Sequence, residues 1–254
     1  MTNGGSFEAI ADFWDEQVGE EGDDFHRLLV RPALLRVLGD VSGLDVLDLG
    51  CANGATSRAL ADLGARVTGV DVSARLIELA RQREAARPRG VRYLVGDAAH
   101  LPDLADASFD RITASMVLMD IEDAEGTIRE VARLLRPGGR FVATLFHPCF
   151  QIPEGSSWLI EQDVTDEQWI SVRVWRYREP FAASTIAKSG QPAPTMNYHR
   201  PLSWYALQLT ANGLLIDALD EAYPDDAFAE RFPDATVRRL SVIPAILVLG
   251  ARKG

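Results

Sequence analysis

The chain has 254 residues, enough for one α/β domain with an insertion and for a sizeable core. Its formal net charge is −11 and it holds only two lysines, Lys188 and Lys253, which excludes the basic face that a nucleic-acid binder needs to neutralise phosphates. No apolar run reaches the roughly 18 residues of a membrane span, the start lacks a basic-then-apolar leader, and Cys51 and Cys149 form no metal-ligand or disulfide pattern, so a cytoplasmic protein with no metal, membrane or nucleic-acid partner is expected.

In chain order, residues 1–42 read as a helical N-terminal cover. Phe13, Trp14, Phe25, Leu28, Leu29, Leu34, Leu35 and Leu38 recur there at broadly helical spacing. An acidic, Gly-containing stretch at 19–24 interrupts them, and Pro32 suits the first turn of a new helix. A regular alternation follows. Apolar stretches at 45–49, 66–70, 91–95, 109–117 and 140–146 read as strands, and 55–63, a segment capped by Ser73, and 123–135 read as helices. Strands alternating with helices imply a doubly wound, mostly parallel sheet with both faces covered. Arg81, Arg83, Arg87 and Arg89 cluster at one helix end and are read as a solvated face.

After Phe146 the pattern breaks. Residues 147–200 hold Trp158, Trp169 and Trp175 and several prolines, and read as an insertion whose aromatics need a surface to pack on, either a structural flap or a substrate lid. Residues 171–177 resemble an exposed strand. The segment 202–212 reads as a helix closed by Gly213. Two final strands, 214–219 and 242–251, flank an acidic loop-like stretch at 223–234 and are expected to pair as a hairpin without a helix between them. The main domain is therefore 43–254, with 147–200 inserted in it.

The stretch that carries chemistry is Val46 to Gly54, an apolar strand running through Asp48, Gly50, Cys51, Ala52 and Asn53 into a helix start. Such a turn lets a ligand approach backbone at a helix N-terminus, and alone serves several cofactors or merely a tight turn. Asp71 ends the next strand, where an acid can accept both hydroxyls of an adenosine ribose. Asp48 stands just before the first glycine, where it would repel a pyrophosphate and suit a cation. Asp97 and Asp120 end the next two strands, so four acids fall where open α/β sheets bind ligands.

These residues resemble the class I (Rossmann-like) methyltransferases that use S-adenosylmethionine (SAM), small-molecule branch. The stretch 48–54 resembles their first motif, 70–73 their ribose-binding acid motif, and 96–98 their adenine-contacting motif; 110–119 and 134–139 match the fourth-strand motif and the turn before the fifth strand. The resemblance implies a seven-stranded sheet with an antiparallel last strand. It also implies that Asp48, Gly50, Cys51, Ala52 and Asn53 face the methionine part of SAM, and that Asp71 binds the ribose hydroxyls. Val72 would pack on adenine, Asp97 and Ala98 read its edge, Ser115 lie by the amino group, Trp14 close over the cofactor, and Arg27 or Arg31 meet its carboxylate. Ala52 replaces the family's middle glycine. Alanine accepts most backbone geometries except positive φ, so the exchange is expected to be mild.

Methyl transfer is an in-line displacement that mainly needs alignment, with a base for some acceptors. His147, directly after the fifth strand, and His199 are the candidate bases or pocket-lining residues; His26, Met116 and Tyr198 are candidate substrate contacts. Pro148-Cys149 follows the fifth strand rather than the fourth, unlike the nucleophile of cytosine-C5 enzymes, and no Asp/Asn-Pro-Pro-aromatic motif follows the fourth. The expected acceptor is a small, partly apolar molecule, methylated on O, N or C. A SAM-holding module without catalysis and a nicotinamide-dependent oxidoreductase are the rival readings, and Asp48 argues against the second.

Overall fold

Short apolar stretches bounded by Gly, Asp and Pro become the strands of the computed structural model, which describes residues 4–162 and 168–254. They are β1 (Asp45–Leu49), β2 (Arg66–Asp71), β3 (Arg92–Val95), β4 (Phe109–Ser115) and β5 (Leu135–Phe146), then β6 (Ser156–Gln162), β7 (Gln168–Val174), β8 (Phe181–Thr185) and β9 (Thr195–His199), and finally β10 (Leu214–Glu221) and β11 (Ile246–Lys253). Seven form one sheet in the order β10-β11-β5-β4-β1-β2-β3. Only β11 runs against its neighbours, pairing antiparallel with both β5 and β10. The chain reverses its winding beside β1, which pairs with β2 on one side and β4 on the other, and this leaves a crevice at the C-terminal strand ends.

The helices are α1 (Gly4–Ala9), α2 (Ala11–Val18), α3 (Arg31–Leu38), α4 (Ala55–Asp62), α5 (Ala74–Ala86), α6 (Ala124–Leu134), α7 (Leu202–Ala211), α8 (Asp226–Ala229) and α9 (Asp234–Val242). A π-helical turn, His26–Val30, runs directly into α3, and Pro32 takes the first turn, where its missing N–H costs nothing. Side-chain alternation splits the core into two layers. Leu47 and Leu49 face Ile128 and Val131 of α6 and Leu209 of α7. Val46 and Val142 face Leu34 and Leu38 of α3, Leu60 of α4 and Ile77 of α5. Ser73 Oγ accepts from Leu76 N at 3.1 Å and Asp123 Oδ1 from Gly126 N at 2.7 Å, caps that stabilise α5 and α6. Such caps contribute about 1 kcal/mol each.

Four expectations change. β5 begins at Leu135, not 140: Phe109 pairs with Leu135, the register shifts, and pairing resumes at Arg111 with Arg140, so the Pro-Gly-Gly turn is an irregularity within the strand. The stretch between the last two strands holds α8 and α9, and residue 242 ends a helix; Phe228 and Leu240 bury themselves against the second core layer, burial that a four-residue helix does not announce as periodicity. The arginine cluster is a solvated face only in part: Arg81 and Arg87 are exposed, but Arg83 pairs bidentately with Asp15 (2.6 and 2.8 Å), Arg81 donates to Tyr93 O and Arg89 to Asp62. Finally, the insertion's aromatics do not all find cover. It folds as two hairpins, β6–β7 and β8–β9, and the first leaves Trp169 and Trp175 more than half exposed (55% and 58%). Residues 1–3 of the predicted cover and 163–167 of the predicted insertion lie outside the described residues.

Candidate functional site

The crevice above the sheet is a cavity of about 550 Å³. Its floor is the ends of β1, β2 and β4 and the turn after β1. Asp48 is 1% exposed and accepts from Ser57 Oγ at 2.6 Å and from Thr113 Oγ1 at 2.9 Å. Burial pushes its pKa up to about 6 against those two hydrogen bonds. Asp71 accepts from the backbone N–H of Ala52 (2.8 Å) and of Ser73 (2.9 Å), so one carboxylate ties the Gly-rich turn to the start of α5. Burial also raises its pKa, with the two N–H donors opposing. Each oxygen of Asp48 and Asp71 keeps acceptor capacity beyond these bonds.

The turn itself is left-handed at three points, Gly50 (φ +64°), Ala52 (φ +47°) and Gly54 (φ +86°). A Cβ at Gly50 would stand 2.2 Å from Val117 Cγ2, so glycine is required there. Ala52 therefore occupies the one region expected to disfavour it, and the exchange of the middle glycine is not conformationally mild; the Asp71 hydrogen bond to its N–H helps to hold it. Met116, at the end of β4, is also left-handed (φ +55°), its N–H held by Thr144. Non-glycine residues in this region cluster at functional sites.

The roof comes from far along the chain. Trp14 of α2 packs edge-on against Phe7 at 5.6 Å, and Lys188, in the loop between β8 and β9, lies 5.6 Å from the Trp14 ring. Lys188 Nζ meets Asp23 Oδ2 at 2.5 Å, and Asp23 Oδ1 meets His26 Nδ1 at 2.7 Å. Burial alone would raise the Asp23 pKa; His26 and Lys188 overcome it and hold the carboxyl well below its ordinary range. Asn53 Nδ2 donates to Asp15 Oδ1 (2.8 Å) and to Gly19 O (2.9 Å), pinning the cover to the turn. Arg31 enters from α3; burial and the nearby Arg27 lower its pKa, and its buried Nε has no hydrogen-bond partner among the described residues. Asp120 faces Asn197 of β9 (3.3 Å), and burial pushes its pKa up to about 8.

Most predicted site residues thus meet around one space. Trp14, His26, Asp48, Gly50, Cys51, Ala52, Asn53, Asp71, Val72, Asp97, Ala98, Ser115 and Met116 all line the cavity. Three do not. His147 turns to the far side of β11, where its N–H bonds Ala245 O and its Nε2 lies 3.1 Å from Glu221; it lines a separate depression with Phe150 and Tyr223. Its pKa is lowered by burial, with Glu221 opposing. On β9, Thr195 and Asn197 face the cavity, and alternation turns Tyr198 away, its N–H bonding Met119 O. His199 lies beyond the cavity end of the strand, 5% exposed, with Nε2 2.7 Å from Tyr177 O and its ring against Phe181. Neither histidine after the fifth strand therefore lines this cavity. Asp15, Asp23, Asn197 and Lys188 were missed. The Asp23–His26 spacing of three in a helical stretch was a usable signal; the others depend on contacts between distant segments.

A methyltransferase-domain family model matches residues 47–143. The chain is 38% identical over 119 residues to a demethylmenaquinone methyltransferase of Tropheryma whipplei, covering 46% of this chain and 48% of the relative. It is 36% identical over 141 residues to a ubiquinone biosynthesis O-methyltransferase of Xanthomonas oryzae pv. oryzae, covering 55% and 59%. It thus spans about half the length of the curated relatives it matches. A crystal structure of a SAM-dependent methyltransferase from Mesorhizobium loti superposes with a TM-score of 0.71 at 30% identity, over 87% of this chain and 96% of that one.

Proposed function

We propose that this chain, which belongs to the class I SAM-dependent methyltransferases, transfers the SAM methyl group to a small, partly apolar acceptor of the kind met in secondary metabolism. The observation that carries this reading is the meeting of Asp48, Asp71 and Asp97 with a left-handed Gly-rich turn in the lining of one 550 Å³ cavity, together with apolar Met119, Ile121 and Phe146.

The donor set fits the cofactor. Asp48 suits a cationic group, the buried and unpartnered Nε of Arg31 suits a carboxylate, and the spare acceptor capacity of Asp71 suits vicinal hydroxyls. Val72, 42% exposed at the rim, offers an apolar face for adenine beside Asp97 and Ala98. Ser115 and the turn backbone at Gly50 to Asn53 complete this set, and Trp14 covers it. When bound, SAM supplies a methyl carbon activated by a positively charged sulfur. The protein's own task is then alignment and exclusion of water. In our reading the β8–β9 hairpin is the acceptor lid, through Thr185, Thr195 and Asn197.

The test is calorimetric titration of SAM and S-adenosylhomocysteine into wild type and Asp71→Ala. Saturable binding to wild type, weakened at least about tenfold (about 1.4 kcal/mol) in the variant, is the expected outcome. Folded wild type that binds neither ligand removes the reading.

A further inference from the structure

Resting on that reading, we infer that His26, oriented by Asp23, is the general base of this enzyme and that its acceptor is an aromatic hydroxyl. His26 opens the π-helical turn, a departure from regular helix that recurs at functional sites. Its Nδ1 is 2.7 Å from Asp23 Oδ1, and the His26 backbone N–H also donates to that oxygen at 2.9 Å. A carboxylate on Nδ1 fixes the tautomer with the proton there, leaving the Nε2 lone pair as the acceptor. The other Asp23 oxygen is held by Lys188 at 2.5 Å, so the carboxylate is clamped from two sides and stays ionised.

The dyad belongs to the cavity lining. A Cβ at Gly22 would stand 3.7 Å from His26 Cβ and 3.9 Å from Ala55 Cβ, so Gly22 sits between the start of the π-helical turn and the helix that follows the Gly-rich turn. Asp23, His26, Lys188 and Arg31 line the same cavity as the apolar Met119 and Phe146. A weakly basic ring amine carries a free lone pair near neutral pH, attacks the methyl donor before losing a proton and needs no base beforehand. A hydroxyl gains most from one, and a ring-bearing hydroxyl suits the apolar lining. In the step, the hydroxyl proton passes to Nε2 while the oxygen forms its bond to the methyl carbon. The carbon–sulfur bond breaks, its electron pair stays on sulfur to leave the neutral thioether, and the imidazolium is paired with Asp23 until its proton returns to water. The Lys188 ammonium, on the other oxygen of the same carboxylate, keeps Asp23 in place through the step.

The experiment uses the full chain, labelled SAM and two probe acceptors, catechol and nitrocatechol, the second already largely ionised near neutral pH. His26→Gln is expected to slow methylation of catechol by about 100-fold or more and of nitrocatechol by less than about tenfold, with SAM affinity by calorimetry within about twofold of wild type. Asp23→Asn is expected to give an intermediate, catechol-selective loss, and ring-nitrogen NMR shifts of His26 to report the Nδ1–H tautomer in wild type and its loss in this variant. Equal losses on both acceptors, or no loss, overturn the base assignment; His26→Asn provides the same comparison if His26→Gln fails to fold. Wild type that binds SAM yet methylates neither hydroxyl overturns the acceptor class. Wild type that does not bind SAM fails the methyltransferase reading itself, a different result.

Discussion

The floor of the cavity is held by groups sunk in the sheet, and the roof by ion pairs between segments far apart in the chain. On the floor, Asp48 is anchored by Ser57 and Thr113 and Asp71 by two backbone N–H groups, all within the span 48–113. On the roof, Lys188 reaches Asp23 across 165 residues and Arg83 reaches Asp15 across 68. Buried, hydrogen-bonded carboxylates are costly to disturb because removing a partner strands a polar group. Partly exposed ion pairs contribute little and rearrange cheaply. The floor is therefore built to present one invariant surface, and the roof to be remade.

Three substitutions sharpen this contrast. The largest effect is expected from Gly50→Ala, which forces a side chain into a φ of +64° and against Val117; a loss of about 2–4 kcal/mol in denaturant unfolding is expected, and a loss below 1 would break the account of a rigid floor. Next comes Asp48→Asn. Because burial raises the Asp48 pKa from 3.8 to about 6, its folded-state advantage is complete below 3.8 and is lost as pH rises through about 6. Over the same window the group becomes an anion, so SAM affinity rises. In Asp48→Asn both slopes should flatten, read by unfolding and by calorimetry at a series of pH values. Smallest is Lys188→Ala on the roof. It should change global stability by less than about 1 kcal/mol, in a salt-dependent way, while quickening amide exchange in β8 and β9. A global loss as large as that of Gly50→Ala would erase the distinction.

The same contrast explains what could be read before the fold was known. β1 and β2 lie within a residue of their expected ends, because each is an apolar run bounded by Asp or Gly and buried on both faces. Asp48, Asp71 and Asp97 were placed together for the same reason: strand ends in a parallel sheet share an edge. The roof was not legible. Nothing local to Lys188 or Asp23 marks them as partners, and His147 and His199 look as eligible as His26 until the fold sets the first in a separate depression and the second past the cavity. α8 and α9 escaped because four and nine residues give too little period to outweigh the prolines and acids around them.

Asn53 belongs to both halves: it sits in the floor's turn, yet its side chain holds Asp15 and Gly19 of the cover. Whatever steadies that turn also steadies the cover, and by reciprocity an ordered cover tightens the turn's grip on its ligand. One amide side chain thereby couples a cover built from the start of the chain to a turn built on the sheet.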